Sequence, residues 1–482
     1  MENEIYAVVE ITKKDIRFIV GKYRNNLGLK VIFKERVKGN WLNENDEVLD
    51  INSAKQHLSK LIRKYENTYN EKIINVGIVY PIKTLKIAQT NLHIIIDNDK
   101  KIITHEHIKK LYKDAVVINE NENTVVINVR PYEYVLNNKD RRNSINVGMI
   151  ANSVAMYAKA YTLDKKVVDS HMEVVQKCEK NILAKYIQTY ALAKQCIEEK
   201  NFKEPSALVD WNIKTLEIGF FAKETLVKKI SKPIGIDKIF SNIAKKIYAK
   251  NKVVETYIFK MLNFKSTKND DLIIYRKYIS SEKRTLEISI KQLKDLFLEE
   301  MNYIIDLIDL EIQNEFITKV RDFKVFFNGK VTEISGFDKM ISRSNFKNKV
   351  FIYYSLVTGA NEIWTSSLCG AIKSCHDVNK NAQIFKTSTI EYSKVEKHQQ
   401  LMQNNQQGLM QNPMSNLYTG INNVPNIVQN QMSQPQMMHR QNFTNLQNQS
   451  IYDINNINNQ QNYQNVNNFA NQNGIIKKQT NR

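Results

Sequence analysis

The chain has 482 residues, of which 42% are hydrophobic and 25% are charged, and its net charge is +20. This length exceeds what a single hydrophobic core organises, so we expect two to four domains. The sequence contains no run of eighteen consecutive apolar residues, so no membrane-spanning helix is predicted. The basic charge favours anionic partners, but a general abundance of Lys, Asn and Ile explains it equally well.

The cysteines give no sign of a metal site or a disulfide framework. They lie within apolar patterns and lack paired metal-ligand spacing: Cys178, Cys196, Cys369 and Cys375. Together with an acidic start that does not fit a basic signal peptide, this predicts reduced core cysteines and a cytoplasmic chain.

The first eighty residues predict an α/β unit. Three short runs rich in branched and aromatic residues (5–10, 16–23 and 29–37) predict a β-meander. Apolar residues at helical spacing between Ala54 and Tyr65 predict a helix, and residues 74–80 predict a buried strand.

A second, smaller unit follows over residues 82–163. Residues 85–96 predict a strand, and Thr104 is placed to cap a helix. Strands are then predicted at 124–129 and 132–136, separated by Pro131, and a further apolar run covers 154–162.

The α/β pattern then returns. Residues 167–199 predict helix, strand, helix, and strands are predicted at 207–209, 215–222 and 226–230. A helix around Ile239, a long amphipathic helix over 293–308, a strand at 324–328 and a helix at 364–372 complete it. Two such units indicate a duplicated fold around a cleft. From about Lys397 the chain is rich in Asn and Gln, which predicts disorder.

This order of elements resembles the actin, Hsp70 and sugar-kinase superfamily, and residues 82–163 resemble the insert subdomain of the FtsA family. Local matches over about residues 5–375 support the resemblance: Gly148-Met149, Pro233-Ile234-Gly235, Ile288-Ser289 and Asn328-Gly329. The resemblance implies an actin-like (ribonuclease H-like) α/β fold. Its implied subdomains are 1A (1–81 and 164–204), 1C (82–163), 2A (205–232 and 321–392) and 2B (233–320), followed by a linker and tail over 393–482.

The resemblance also implies an ATP and Mg²⁺ site. The first phosphate loop of the family reads Asp-Ile-Gly-Thr, and here Glu10 and Thr12 stand at the acid and the glycine. In the second loop Asp210 and Thr215 remain, but both glycines are lost. Glu10 and Asp210 are the implied metal ligands. Because glycine lets backbone amides approach phosphate closely, we expect weak or lost ATPase activity.

Further contacts to the nucleotide are implied at Lys260, near the ribose, and at Gly329, near the adenosine. Lys13, Lys14 and Lys214 have two interpretations. They either bring positive charge to phosphate or are solvated lysines of the turns.

Three kinds of partner are implied by the resemblance. The C-terminal peptide of FtsZ would meet a basic patch of Lys283, Arg284, Lys291 and Lys294, although an ordinary solvated helix face explains those residues too. Self-association is a second expectation. The third is weak binding to an anionic membrane surface through Phe469, Ile475, Ile476, Lys477 and Lys478.

The leading hypothesis is a cell-division scaffold of actin fold that links FtsZ filaments to the cytoplasmic face of the membrane at the division site. The alternative is an active ATPase or kinase of the same superfamily. We expect no nucleic-acid partner, because no basic stripe interleaved with aromatic residues is found.

Overall fold

The computed structural model describes residues 4–24, 27–316, 320, 322–381, 384–389 and 391–393. The chain begins with three antiparallel strands, a helix and a strand: β1 (Glu4–Ile11), β2 (Asp15–Arg24), β3 (Gly28–Lys38), α1 (Ile51–Tyr69) and β4 (Asn75–Tyr80). Helix α1 begins where the Asp50 side chain accepts a hydrogen bond from the Ser53 amide, and it ends at Asn70 in the left-handed conformation. The predicted meander, helix and buried strand are confirmed.

The predicted smaller unit forms a sheet covered by one helix. Its elements are β5 (Lys86–Ile95), α2 (His105–Asn119), β6 (Thr124–Leu136), β7 (Asp140–Arg142) and β8 (Ser153–Asp164), in the sheet order β5-β8-β6-β7. Thr104 caps α2 as predicted.

The prediction of two strands separated by Pro131 is wrong, because β6 runs through the proline as one strand. β6 pairs with β8 over most of its length, whereas β7 reaches only Tyr134 to Leu136. At Pro131 the strand has β8 on one side only, and the register shifts between Pro131 and Glu133. A missing amide hydrogen is tolerated at such a position.

The chain then returns to the first sheet and completes it. The elements are α3 (Lys165–Lys177), β9 (Asn181–Ile187), α4 (Gln188–Cys196) and the short α5 (Glu199–Phe202). The sheet order is β3-β2-β1-β4-β9, with β1, β4 and β9 parallel. The carboxyl ends of these three strands therefore lie at one edge of the sheet.

The second half repeats this arrangement. Its first part contains β10 (Ser206–Trp211), β11 (Leu216–Ala222), β12 (Thr225–Lys232), α6 (Ile236–Lys246), α7 (Asn251–Lys260) and a hairpin of β13 (Ile273–Ile279) and β14 (Arg284–Ser289). Its second part contains α8 (Ile290–Phe316), β15 (Lys324–Asn328), α9 (Phe337–Ile341) and β16 (Val350–Ile352). The sheet order β12-β11-β10-β15-β16 matches the first sheet strand for strand.

The last described elements belong with the first sheet. They are α10 (Ser366–Asn381), β17 (Ile384–Lys386) and β18 (Glu391–Ser393). Leu368 and Ile372 of α10 are buried in one cluster with Tyr6 and Val8 of β1. We predicted residues 321–392 as the second part of subdomain 2A, but helix α10 within this range packs its apolar face against the first sheet.

The two sheets share a buried core. Phe221, Leu226 and Phe326 of the second sheet pack in one cluster with Tyr190 of α4 and with the apolar residues of β1. The Leu226 amide also donates to the Tyr161 hydroxyl on β8 at 2.7 Å. These contacts hold the two halves together on one side of the cleft.

Two sequence predictions concern residues outside the described ones: the disordered tail over 393–482, apart from Ser393, and the membrane-contacting residues Phe469, Ile475, Ile476, Lys477 and Lys478. Among the residues that the structure describes, no helix combines the length and apolar character needed to cross a membrane.

Candidate functional site

The turn between β1 and β2 satisfies its own amides. The Thr12 hydroxyl accepts hydrogen bonds from the amides of Lys14 (3.3 Å) and Asp15 (3.1 Å) and donates to the Asp15 carboxylate at 2.7 Å. The family has glycine where Thr12 stands. A side chain at this position therefore binds the same backbone donors that a phosphate would need.

Glu10, next to this turn, is paired inside the protein. Its carboxylate is only 3% exposed. Arg17 Nη1 donates to Glu10 Oε2 at 2.8 Å, and the Ser367 hydroxyl donates to the same oxygen at 3.0 Å. Burial raises the pKa of Glu10, and the Arg17 guanidinium is the largest influence that opposes this rise. A permanently charged arginine thus neutralises the first acid of the cleft.

Arg17 is itself part of a larger ion network. Its Nε donates to Asp15 Oδ1 at 3.0 Å, and Arg36 on β3 approaches the other Asp15 oxygen at 3.5 Å. The network joins the three strands of the meander, and Ser367 connects it to the first turn of α10. Two carboxylates and two guanidinium groups leave it with no net charge.

Asp210 lies at the corresponding position of the second half and is 6% exposed. Its partners are neutral amides: Asn328 Nδ2 donates to Oδ1 at 3.0 Å, and Gln188 Nε2 donates to Oδ2 at 3.3 Å. Burial raises the pKa of Asp210, and the hydrogen bond from Asn328 opposes the rise most strongly. The positive charge of Arg17, which pairs with Glu10, also opposes the rise in the pKa of Asp210.

A second carboxylate faces Asp210 across the hairpin. Asp210 and Glu217 are directly opposite in the register of β10 and β11. Burial, together with the nearby charge of Asp210, raises the pKa of Glu217 to about 7. Adjacent acids of this kind favour retention of a proton near neutral pH.

The second turn is packed against its neighbours. The amides of Ile236 and Asp237, at the start of α6, donate to the carbonyls of Asn212 (3.1 Å) and Ile213 (3.0 Å). A Cβ at Gly235 would lie 2.0 Å from the Ile213 oxygen. This turn therefore depends on glycine in the following segment for its close packing.

Gly329 makes an equally close contact at the end of β15. It is buried, has a φ of +100°, and a Cβ there would lie 2.5 Å from the Trp211 oxygen. The following amide, of Lys330, donates to Asn212 Oδ1 at 3.2 Å. Gly329 therefore lies against the second turn, beside Asp210.

The lysines of the turns point to other protein groups or to solvent. Lys13 pairs with Glu44 at 3.2 Å and Lys214 with Asp237 at 2.5 Å. Lys14 is exposed, and Lys260 is exposed at the last position of α7. Thr215 is half-buried, and its carbonyl accepts from the Asn212 amide at 2.9 Å.

The four residues of the proposed partner patch differ in how far they are buried. Lys283 and Arg284 are exposed at the turn of the β13–β14 hairpin, and Lys291 is exposed at the start of α8. Lys294 is 8% exposed and pairs with Asp270 at 2.6 Å. Three of the four residues are thus accessible, whereas Lys294 stabilises the fold locally.

Sequence reasoning missed several residues of this site, among them Arg17 and Gln188. Arg17 was detectable, because a tight turn after Glu10 places it directly opposite on the paired strand. Gln188 follows the buried strand β9, whose carboxyl end lies at the same sheet edge as that of β1. A polar residue at that point is a general signal of a site.

The donor set is a poor match to Mg²⁺, which requires several free oxygen ligands. Glu10 and Asp210 are already engaged with protein donors. Across the described residues, no group of three or more His, Cys, Asp or Glu side chains is arranged to hold a metal ion.

Comparisons with known proteins agree with this geometry. No family model matches the chain. The cell division protein FtsA of Enterococcus hirae is 22% identical over 181 residues, which is 37% of this chain and 38% of that protein. FtsA of Enterococcus faecalis is 22% identical over 204 residues, or 41% and 45% of the two chains. The matched region thus spans less than half the length of these relatives.

Among solved structures, the PilM–PilN type IV pilus biogenesis complex has a TM-score of 0.50 and 8% identity, covering 76% of this chain and 98% of that one. MreB5 of Spiroplasma citri bound to ADP has a TM-score of 0.42 and 10% identity, covering 79% and 99%. The chain is an α/β protein of actin-like fold.

Within that class, its sequence is similar to the two FtsA proteins over part of their length. The two sheets of equal strand order and the inserted four-stranded unit are the features of the fold that accompany this resemblance.

Proposed function

We propose that this chain is a cell-division scaffold that links FtsZ filaments to the cytoplasmic face of the membrane and self-associates, without efficient ATP hydrolysis. The absence of efficient ATP hydrolysis is proposed from the Glu10–Arg17 ion pair, whose nitrogen and oxygen atoms lie 2.8 Å apart. A buried carboxylate bound to an internal guanidinium group does not fit a Mg²⁺ ligand. The cell-division role rests on the FtsA matches.

The first turn supports the same proposal. Thr12 already satisfies the amides of Lys14 and Asp15, so phosphate would have to displace its hydroxyl. Replacing Thr12 with glycine frees these amides and removes the hydrogen bond to Asp15, but it leaves both members of the Glu10–Arg17 pair in place. It therefore separates the contribution of the turn from that of the Glu10–Arg17 pair.

The nucleotide part of the proposal is tested by equilibrium binding of a fluorescent ATP analogue with Mg²⁺, beside a phosphate-release assay on the same protein. We expect no turnover for the natural chain. Thr12→Gly should gain affinity for the analogue and remain without turnover, because Glu10 stays paired. Turnover by the natural chain would overturn the proposal and assign Glu10 and Asp210 to a working metal site.

FtsZ peptide binding is proposed at Lys283, Arg284 and Lys291, where exposed positive charge faces solvent. An acidic peptide would be attracted there, more strongly at low salt. The test measures binding of the FtsZ C-terminal peptide to the natural chain and to a Lys283→Glu, Arg284→Glu variant. Lys200→Glu is the control, since Lys200 is 78% exposed on the other half.

We expect the double variant to lose at least about tenfold in affinity at low salt, because both charges change sign, while the control keeps its affinity. Equal binding by all three proteins would remove this patch from the proposal. Membrane association is measured separately, by sedimentation with anionic vesicles of the chain with and without residues 469–482. A chain that neither binds the peptide nor sediments contradicts the scaffold function.

A second candidate is an ATPase or kinase of the same superfamily, located peripherally or free in the cytoplasm. It is favoured by Gln188 and Asp210, which meet at the carboxyl ends of β9 and β10. The phosphate-release assay decides between the two candidates. Turnover that is abolished by Asp210→Asn would favour this second function.

A further inference from the structure

A short segment near the end of the described chain is inserted into the first sheet. Strands β1 and β4 are parallel neighbours, but their pairing starts only at Val8 and Gly77. Before that point the two strands diverge. Residues 386–388 lie in the gap, with Thr387 2% and Ser388 0% exposed.

Ser388 bonds to both strands. Its amide donates to the Ile5 carbonyl at 2.8 Å, and its hydroxyl accepts from the Ala7 amide at 2.7 Å. On the other side, its carbonyl accepts from the amides of Ile74 (2.7 Å) and Asn75 (3.1 Å). One residue therefore satisfies backbone groups of two strands that do not reach each other.

The neighbouring residues are fixed as well. Asn75 Nδ2 donates to the Thr387 carbonyl at 2.8 Å. Asn379, in the last turn of α10, donates to the Lys386 carbonyl at 2.7 Å and accepts from the Lys386 amide at 3.2 Å. The segment is thus attached to the sheet and to the final helix.

We propose that residues 386–388 are a strap that closes the amino-terminal end of the first sheet by joining β1 to β4. The strap opens locally, before either sheet unfolds, and its opening weakens β1. This inference is independent of the proposed function, because no bond made by residues 386–388 involves the candidate nucleotide site.

The position of the strap determines which strand its opening affects. Ile5 and Glu10 lie on the same strand, roughly 16 Å apart at the usual rise per residue. The strap holds one end of β1, and the Arg17 network holds the other. Opening of the strap would therefore act on the strand that carries Glu10, from the end opposite that residue.

The test is amide hydrogen exchange on the full chain and on Ser388→Pro, which removes both the amide donor and the hydroxyl. We expect the amide of Ala7 to exchange at least about tenfold faster because its acceptor is removed, and those of Ile74 and Asn75 to do so because loss of the bond to Ile5 displaces the carbonyl that accepts from them. Amides of β10 and β11 should keep their protection. Unchanged exchange at all three amides would contradict the proposal that residues 386–388 close the sheet.

Ser388→Ala provides a second test if the proline variant fails to fold. It removes only the hydroxyl, so the Ala7 amide should exchange faster while Ile74 and Asn75 stay protected. Thr389→Ala, at the half-buried neighbouring position, is the control and should leave all three amides unchanged. A chain that ends at Ser393 should also keep full protection. Loss of protection in that chain would place the closing contact beyond residue 393 and overturn the proposal.

Transmission along β1 is tested by a double-mutant cycle of Ser388→Ala with Arg17→Met, with the melting temperature as readout. Sites this far apart normally have additive effects. We expect the combined loss to be smaller than the sum, because either change alone already weakens β1. Strict additivity would show that the strap acts only locally.

Discussion

The two hairpins that face the cleft have the same backbone plan and opposite electrostatics. Glu10 and Asp210 are each the penultimate residue of a parallel strand, and each is directly opposite one residue on the next strand. That residue is Arg17 in the first half and Glu217 in the second. The first half therefore contains an ion pair, and the second contains two neighbouring acids.

This difference shows what a duplicated fold preserves. The sheet order fixes where the two carboxylates lie, but the cross-strand residue decides their protonation and availability. In the first half Arg17 occupies the Glu10 carboxylate and opposes the rise in its pKa that burial causes. In the second half the nearby Asp210 charge and burial favour a proton on Glu217.

The largest expected effect comes from breaking the ion pair. Arg17→Met leaves Glu10 and Asp15 buried without their shared cation, so we expect the free energy of unfolding to fall by about 3 kcal/mol or more. Chemical denaturation measures it. Arg36→Met is the matched control, since Arg36 is 41% exposed and its contact with Asp15 is longer, at 3.5 Å. A loss of about 1 kcal/mol or less is expected there. Similar losses in both variants would contradict a central role for Arg17.

A smaller effect is expected from the packing of the second hairpin. Gly329→Ala adds a methyl group 2.5 Å from the Trp211 oxygen at a positive φ, so we expect a loss of about 2 kcal/mol. Gly28 also has a positive φ, +71°, but nothing lies within 4 Å of its Cβ position. Gly28→Ala should therefore lose clearly less. The denaturant midpoints of the two variants separate the effect of steric crowding from that of backbone strain. Equal losses of stability would mean that the contact with Trp211 contributes nothing.

The smallest expected effect is a dependence on pH that differs between the halves. In the second half, the pKa of Glu217 is raised from 4.5 to about 7, so the folded state binds more protons than the unfolded state within this range. Stability from this group is present at low pH and is lost as the pH rises from about 4.5 to 7. Glu217→Gln should remove this part of the dependence of the melting temperature. An unchanged profile would contradict the shifted pKa.

The first half should respond in the opposite direction. His171 is fully buried beneath the first sheet, and burial lowers its pKa from 6.5 to about 4. The unfolded state therefore binds more protons in this range, and stability is lost as the pH falls from 6.5 towards 4. Hydrogen exchange at pH 7 and pH 5 should show amides around α3 becoming less protected at the lower pH. Loss of protection there at the higher pH would contradict the assignment.

Much of the molecule was predictable because its signals are local. The runs of branched and aromatic residues in β1 to β4, the Thr104 cap of α2 and the apolar face of α8 each depend on neighbours in sequence. The choice of Glu10 and Asp210 as site residues came from the resemblance to the FtsA family, whose phosphate loops carry acids at these positions. Their equivalence in the two halves is a property of the repeated pattern.

Other features required the tertiary structure because their partners are distant in sequence. Pro131 interrupts a strand pattern, and only the absence of β7 beside it explains why β6 continues. Lys294 has the sequence context of a solvated helix residue, yet Asp270 and the Ser266 carbonyl bury its ammonium group. Helix α10 follows the second sheet in the chain but packs on the first.

The sequence by itself thus determined the α/β class, the duplicated order of elements and the absence of glycine from the β1–β2 and β10–β11 turns, since these depend on local pattern and residue type. Tertiary structure alone decided that Ser367 would reach Glu10 and that Ser388 would join β1 to β4. Both contacts link residues more than three hundred positions apart. Their energies depend on burial and hydrogen-bond geometry, which exist only once the chain has folded.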